Sequence, residues 1–285
     1  MPPPKSTLIS LLAIGCALAQ PTRILDLNFP DPAVIQTDQG YYALGTQSNG
    51  INVQVARSDD ADDGTYVLYF FGLASADTSK HCVGTATSPS IEGPYIPNEE
   101  PFACHLEQGG AIDAAGFRED DGSRYVLYKI DGNSLNGDGS THPTPILLQK
   151  VLPDGITRDG DPIQILDRDE ADGPLIESPS LIHRDGTYYP TFSSNMYHTL
   201  AYDVSYATAS SLTGPYTKVQ APDAPLLVSG DASDVGPLAG PGHADLFDDG
   251  SRLVFHAFQD GGSIDSGRAV WIVDVEVVDG RIRLL

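Results

Sequence analysis

Short apolar runs alternate along the chain with glycine-centred polar turns, and within the runs inward and outward positions repeat every two residues, as in half-buried strands. Five segments share one form, a polar turn and a glycine followed by aromatic and β-branched residues. They are TDQGYYALGT, DDGTYVLYFF, DDGSRYVLY, RDGTYYPTFS and DDGSRLVFHAF, with glycines at Gly40, Gly64, Gly122, Gly186 and Gly250. Each reads as a tight turn feeding a strand. Successive glycines stand 24, 58, 64 and 64 residues apart. A period near sixty, with several short strands per period, predicts an all-β chain folded as a five-bladed β-propeller. The first interval is too short by about two strands, so blade two is expected to be truncated between Asn52 and Thr65, either natively or because a segment is missing. Two further segments, VGTATSPSIEGPY at 83–95 and SYATASSLTGPY at 205–216, repeat each other and read as third strands running into a Gly-Pro-Tyr turn. ILLQKVLPDG takes the matching place in blade three, and SGRAVWIVDVEVVDGRIRLL completes the last blade.

Residues 1–19 break the pattern. Lys5 precedes an apolar core, LISLLAIGCALA, that ends in Ala17-Leu18-Ala19, the form of a secretory signal cleaved before Gln20. That run is too short to span a bilayer. The expectation is a secreted, extracellular protein with one catalytic domain over residues 20–285. Cleavage removes Cys16 and leaves Cys82 and Cys104, which in an oxidising compartment are expected to pair and to contribute about 3 kcal/mol. The chain carries 29 glycines, 22 prolines and 13 tyrosines and shows no sustained helical period, as suits an all-β domain. Its formal charge of −23 disfavours nucleic acid and anionic membranes as partners and suits a neutral polymer. A monomer is expected.

Charge inside the repeats suggests chemistry. Nine residues before the turn glycine stand Asp31, Asp113 and Glu177 in three of the units, and His243 stands seven before Gly250; the corresponding residue of the second unit is Val55. In a propeller the innermost strand of each blade lines the central channel, so side chains at one phase converge on the axis. A purely structural repeat gains nothing from gathering like charges there, since repulsion raises their pKa values and costs stability. Two carboxylates flanking a sugar can hydrolyse a glycosidic bond, one giving a proton to the leaving oxygen and the other activating water. A third nearby acid would keep the first protonated.

The segments NFPDPAVI, GGAIDAAGF, GPLIESPSL and GPGHADLF, in that order, resemble glycoside hydrolase family 43, the five-bladed propeller enzymes acting on arabinans and xylans. The resemblance covers nearly all of the mature chain. It implies Asp31 as general base, Asp113 as pKa modulator and Glu177 as general acid in a single inverting displacement. It implies for His243 either a calcium ion held through water in the channel or a histidine that only orders water. Arg268, at the last-blade Gly-Arg position, would reach the substrate or Asp113. The substrate would be a plant cell-wall polysaccharide containing arabinose or xylose, cleaved as by an α-L-arabinofuranosidase or arabinanase, with β-xylosidase as the alternative. A non-catalytic sugar-binding propeller is the other reading, because part of blade two is missing. The chain departs from the family in lacking a Trp-Ala-Pro-Asp strand at blade two; its one tryptophan, Trp271, lies in an alternating strand and is expected in the core.

Overall fold

The computed structural model describes residues 20–37, 40–46, 54–57, 65–260 and 262–285. The proposed signal segment and the centre of the short interval, residues 58–64, lie outside the described residues. The described chain is all β, apart from three short 3-10 turns. Strand β1 (Thr22–Leu25) is followed by a three-stranded sheet of β2 (Ala33–Thr37), β3 (Gly40–Gly45) and β4 (Gln54–Arg57), then by a second one of β5 (Tyr66–Leu73), β6 (His81–Ser88) and β7 (Ile96–Pro97). Two four-stranded sheets come next. The first contains β8 (Ala111–Arg118), β9 (Arg124–Ile130), β10 (Ile146–Val151) and β11 (Ile163–Leu166). The second contains β12 (Ile176–Arg184), β13 (Thr187–Ser194), β14 (Asp203–Thr208) and β15 (Thr217–Lys218). After a small hairpin of β16 (Ala232–Ser233) and β17 (Gly236–Pro237), the last sheet holds β18 (Gly242–Leu246), β19 (Arg252–Phe258), β20 (Arg268–Val278) and β21 (Arg281–Leu284). Every pairing within these sheets is antiparallel between neighbours, as short turns dictate.

The sheets take a propeller arrangement. The first strands β2, β18, β12 and β8 pack side by side in that order, and the β5–β7 sheet packs on β8 through β5 and β6. β1 pairs with β20 and thereby joins the two ends of the chain in one sheet, removing an exposed edge. Apolar burial lies between sheets and not on the axis. One wedge joins the β12–β15 sheet to the last sheet through Tyr189, Val204, Leu253, Phe255 and Trp271. Others form around Leu127, Ile146, Leu181 and Phe192, around Val83, Phe102, Val126 and Tyr128, and around Phe29, Phe247 and Val254. Trp271 is buried and stacks on Phe255, a core residue as its strand pattern predicts. The axis is thus left to polar side chains.

Cys82 on β6 is disulfide-bonded to Cys104, in the segment that leads to β8. Among the described residues no helix is long and apolar enough to cross a membrane.

Candidate active site

Three of the first strands break their ladders where they pass the axis. β8 shifts register between Ile112 and Ala115, β12 between Glu177 and Ser180, and β18 between Gly242 and Asp245. At each break one residue takes a left-handed backbone: Asp113 at φ 56°, Ser178 at 57° and His243 at 49°; Asp31, just before β2, stands at 56°. A bulge of this kind bends the strand and re-aims its side chain. Non-glycine residues seldom accept this conformation, and aspartate and histidine are among those that do so most readily.

The equivalent residues of three repeats are therefore Asp113, Ser178 and His243, each 65 residues from the next. This corrects the phase read from the turn glycines. Glu177 stands one residue before its repeat's left-handed position, and Gly242 is its counterpart in the last sheet. Turn length explains the slip. Five residues separate the paired Arg118 and Arg124, whereas two separate Arg184 and Thr187, so a count taken from the glycine does not keep register.

The structure nonetheless brings Asp31, Asp113, Glu177 and His243 into one network. Asp31 accepts a hydrogen bond from Arg268 Nη1 at 2.7 Å, and its Oδ1 lies 3.4 Å from His243 Nδ1. Its backbone N–H donates to His256 Nδ1 at 3.1 Å. His243 Nδ1 is 2.7 Å from Ser178 Oγ. The Ser178 N–H donates to Asp113 Oδ2 at 2.9 Å, and its hydroxyl lies 3.4 Å from that of Tyr202. Tyr202 in turn donates to Glu177 Oε1 at 2.9 Å, while Lys129 Nζ donates to Glu177 Oε2 at 2.9 Å and to Asp131 Oδ1 at 3.1 Å. Arg268 is directed at Asp31 and not at Asp113. Its guanidinium also lies 5.3 Å from the ring centre of Tyr197, an exposed residue.

Electrostatics separate the carboxylates. Burial raises the Asp31 pKa, but the charges of Arg268 and His243 outweigh it and hold this carboxyl far below the usual range. Asp113 is pushed up to about 6, by burial first and then by the negative charges of Glu177 and Asp31, against the pull of His243 and Lys129. Burial lowers His256 to about 4, so its ring is neutral near pH 7. Because Nδ1 accepts from Asp31, its proton belongs on Nε2. Burial also opposes the charge on Lys129, but Glu177, Asp131 and Asp113 more than offset it and keep the ammonium protonated.

Lys129, Asp131, Ser178, Tyr202 and His256 were not legible as site residues from the repeat alone. Two of them left a trace. Lys129 in YVLYKI and His256 in LVFHAF are single basic residues inside apolar strands, and each is fully buried.

Calcium takes six to eight oxygen ligands, many of them carboxylate. Among the described residues no group of three or more His, Cys, Asp or Glu side chains is placed to hold a metal ion. His243 Nδ1 faces Ser178, and Asp31 is already matched by Arg268. These residues do not fit a protein-held calcium ion.

Against known proteins, the sequence profile of glycosyl hydrolases family 43 matches residues 60–282. The beta-D-galactofuranosidase xynD of Aspergillus niger is 30% identical over 151 residues, which is 52% of this chain and 39% of that protein. The xylosidase/arabinosidase 43A of Humicola insolens is 31% identical over 106 residues, 37% of this chain and 31% of that protein. The chain thus matches well under half the length of either relative. Among solved structures, a thermostable family-43 glycoside hydrolase superposes with a TM-score of 0.71 at 21% identity, covering 90% of this chain and 92% of the other, a likeness of fold. An endo-1,4-beta-xylanase of Bacteroides thetaiotaomicron superposes with a TM-score of 0.68 at 25% identity, covering 92% and 96%.

Proposed function

The chain belongs to glycosyl hydrolases family 43, and on that premise we propose that it is a secreted, inverting glycoside hydrolase of arabinose- or xylose-containing plant polysaccharide. The observation that carries this reading is the convergence of Asp31, Asp113 and Glu177 on one axis, tied together through Ser178, His243 and Tyr202. Glu177 gives its proton to the leaving glycosidic oxygen. Asp31, kept ionised by Arg268, takes a proton from the water that attacks the anomeric carbon from the opposite face. Asp113 supports the acid through its nearby charge, and His243 orders the water network in place of an ion. Both relatives named above carry glycosidase names, one for a furanose sugar and one for xylose or arabinose. A furanoside, arabinofuranoside first, is the preferred substrate, and β-xyloside is the alternative.

The propeller is proposed to have five blades, with the β5–β7 sheet as a second blade for which no innermost strand stands among the described residues. That sheet begins with the strand expected second in its unit, and it rests on β8 through β5. The same feature favours a second reading, a sugar-binding propeller without turnover.

Chromogenic α-L-arabinofuranoside, β-D-galactofuranoside and β-D-xyloside, together with arabinan and arabinoxylan, separate the two. The wild type is expected to release sugar from at least one, with the inverted anomer seen first by proton NMR. Asp31→Asn and Glu177→Gln should each lower kcat by about 10³-fold or more, and Asp113→Asn by less. Binding without release overturns the hydrolase reading, and either of the first two variants within about tenfold of wild type overturns the role given to that residue.

A further inference from the structure

Lys129 is a cation with no exposure to water, on β9, beside the strand that carries Asp113. A buried ammonium is tolerated only while an anion faces it. It has two anions, Glu177 at 2.9 Å and Asp131 at 3.1 Å. A general acid must start each cycle protonated, and in that state Glu177 offers Lys129 no charge. With Glu177 as its only partner, Lys129 would hold that carboxyl ionised and disable it. We propose that Asp131 is a positioning residue which keeps Lys129 paired in both protonation states of Glu177, so that Glu177 can carry a proton and give it up.

The inference rests on reading Glu177 as the general acid. The geometry suits it. Asp131 is anchored by its backbone, its N–H donating to Gly110 O and its carbonyl accepting from Ser134 N–H, which fixes the aim of its carboxylate. Its side chain is buried, as is that of Glu177. The other groups facing Glu177 are the Tyr202 hydroxyl on Oε1, Asp113 from β8, and His243 from β18 acting through Ser178. None of these supplies the anion that Lys129 needs when Glu177 is protonated, except Asp113, which itself binds a proton near pH 6.

Opposite charge changes should give opposite shifts. A general acid sets the basic limb of the kcat/KM profile. Asp131→Asn leaves Glu177 as the one anion in ion-pair contact with Lys129 and should move that limb down by about one pH unit; Lys129→Met should move it up by about as much. On a methyl glycoside, whose leaving group needs the proton, Asp131→Asn should lower kcat by about 10- to 100-fold. On the 2,4-dinitrophenyl glycoside of the same sugar, whose leaving group does not, the loss should stay under about threefold. The double variant, Lys129→Met with Asp131→Asn, buries no unpaired charge; its limb should lie at or above that of the wild type, and it serves if Asp131→Asn does not fold.

Limbs that move in the same direction, a limb unmoved in Asp131→Asn, or equal losses on the two leaving groups would overturn the inference. Glu177→Gln separates this failure from that of the underlying reading. If Glu177→Gln keeps wild-type turnover, the acid assignment falls; if it is inactive while Asp131→Asn is unshifted, only the role of Asp131 falls. Carbon-13 NMR titration of labelled glutamate, with the Glu177 signal identified by its loss in Glu177→Gln, reads the same shifts without turnover.

Discussion

Ser178 shows how much of the site is made by backbone conformation. It sits at φ 57° where its counterparts in the flanking sheets are Asp113 and His243, and its hydroxyl and N–H together touch both. Serine is less at ease in the left-handed region than aspartate or glycine. Ser178→Ala and Ser178→Gly both remove the hydroxyl, but only glycine relieves the backbone. The usual order should therefore reverse, with the glycine variant more stable than the alanine variant by about 1 kcal/mol in urea unfolding. The alanine variant proving the more stable would show that the bulge relaxes without cost. Sequence could reveal Asp31, Asp113, Glu177 and His243, because each is a polar residue seven to nine positions before a turn glycine. It could not reveal Ser178, since serine is unremarkable in any turn-rich chain and its importance comes from a torsion angle and from neighbours 65 residues away on either side.

At the scale of strands, the bulges decide which side chains reach the axis, and they also explain where the sequence count slipped. A two-residue repeat shows that β8, β12 and β18 have an inner face; a break in the ladder then moves one residue out of that alternation. The residue before each break has a different neighbourhood in each sheet. In β12 it is Glu177, which finds Tyr202 and Lys129. In β18 it is Gly242, where a Cβ would lie 1.9 Å from the Tyr202 ring. Tyr202 thus occupies the space that a side chain at the equivalent position of the last sheet would need, and from there it holds Glu177. Gly242→Ala should displace Tyr202, destabilise the fold by about 2 kcal/mol as overpacking does, and lower turnover along with it. Thermal unfolding and kcat measured on the same preparation test this; a stable and fully active Gly242→Ala would show that the Tyr202 contact is dispensable.

For the whole molecule, the propeller arrangement removes apolar residues from the axis and packs them between sheets, which forces buried carboxylates into the middle of an already acidic protein of net charge −23. The repeat was legible because each unit keeps its own turn glycine and apolar strand; closure by β1 on β20 was not, since a four-residue strand carries too short a pattern to identify its partner. The buried acids give the fold a pH dependence that can be worked out. Asp113, Asp203 and Asp245 are each raised to about 6 by burial before any other cause. A raised folded pKa means stability that is fully present below the unfolded value near 4 and is lost as pH rises through 6. His256, lowered to about 4 chiefly by burial, acts in the opposite sense, losing stability as pH falls below 6.5. Between pH 7.5 and pH 5 the three acids return about 4 kcal/mol and His256 withdraws about 2, leaving a net gain of about 2 kcal/mol. Asp31 titrates too low to matter in this window. Relief of self-repulsion as the net negative charge falls adds to the gain. Tm should therefore rise by about 4 to 8 °C when the buffer is taken from pH 7.5 to pH 5 at constant ionic strength. Asp245→Asn isolates one contribution. It accepts from Ser180 and from the Val34 N–H, tying β12 and β2 to β18, and the neutral amide should flatten the pH dependence while its oxygen can still accept. A Tm that falls toward pH 5 in the wild type would mean that these carboxyls are ionised in the fold without penalty, and that the axis is wetter than their burial implies.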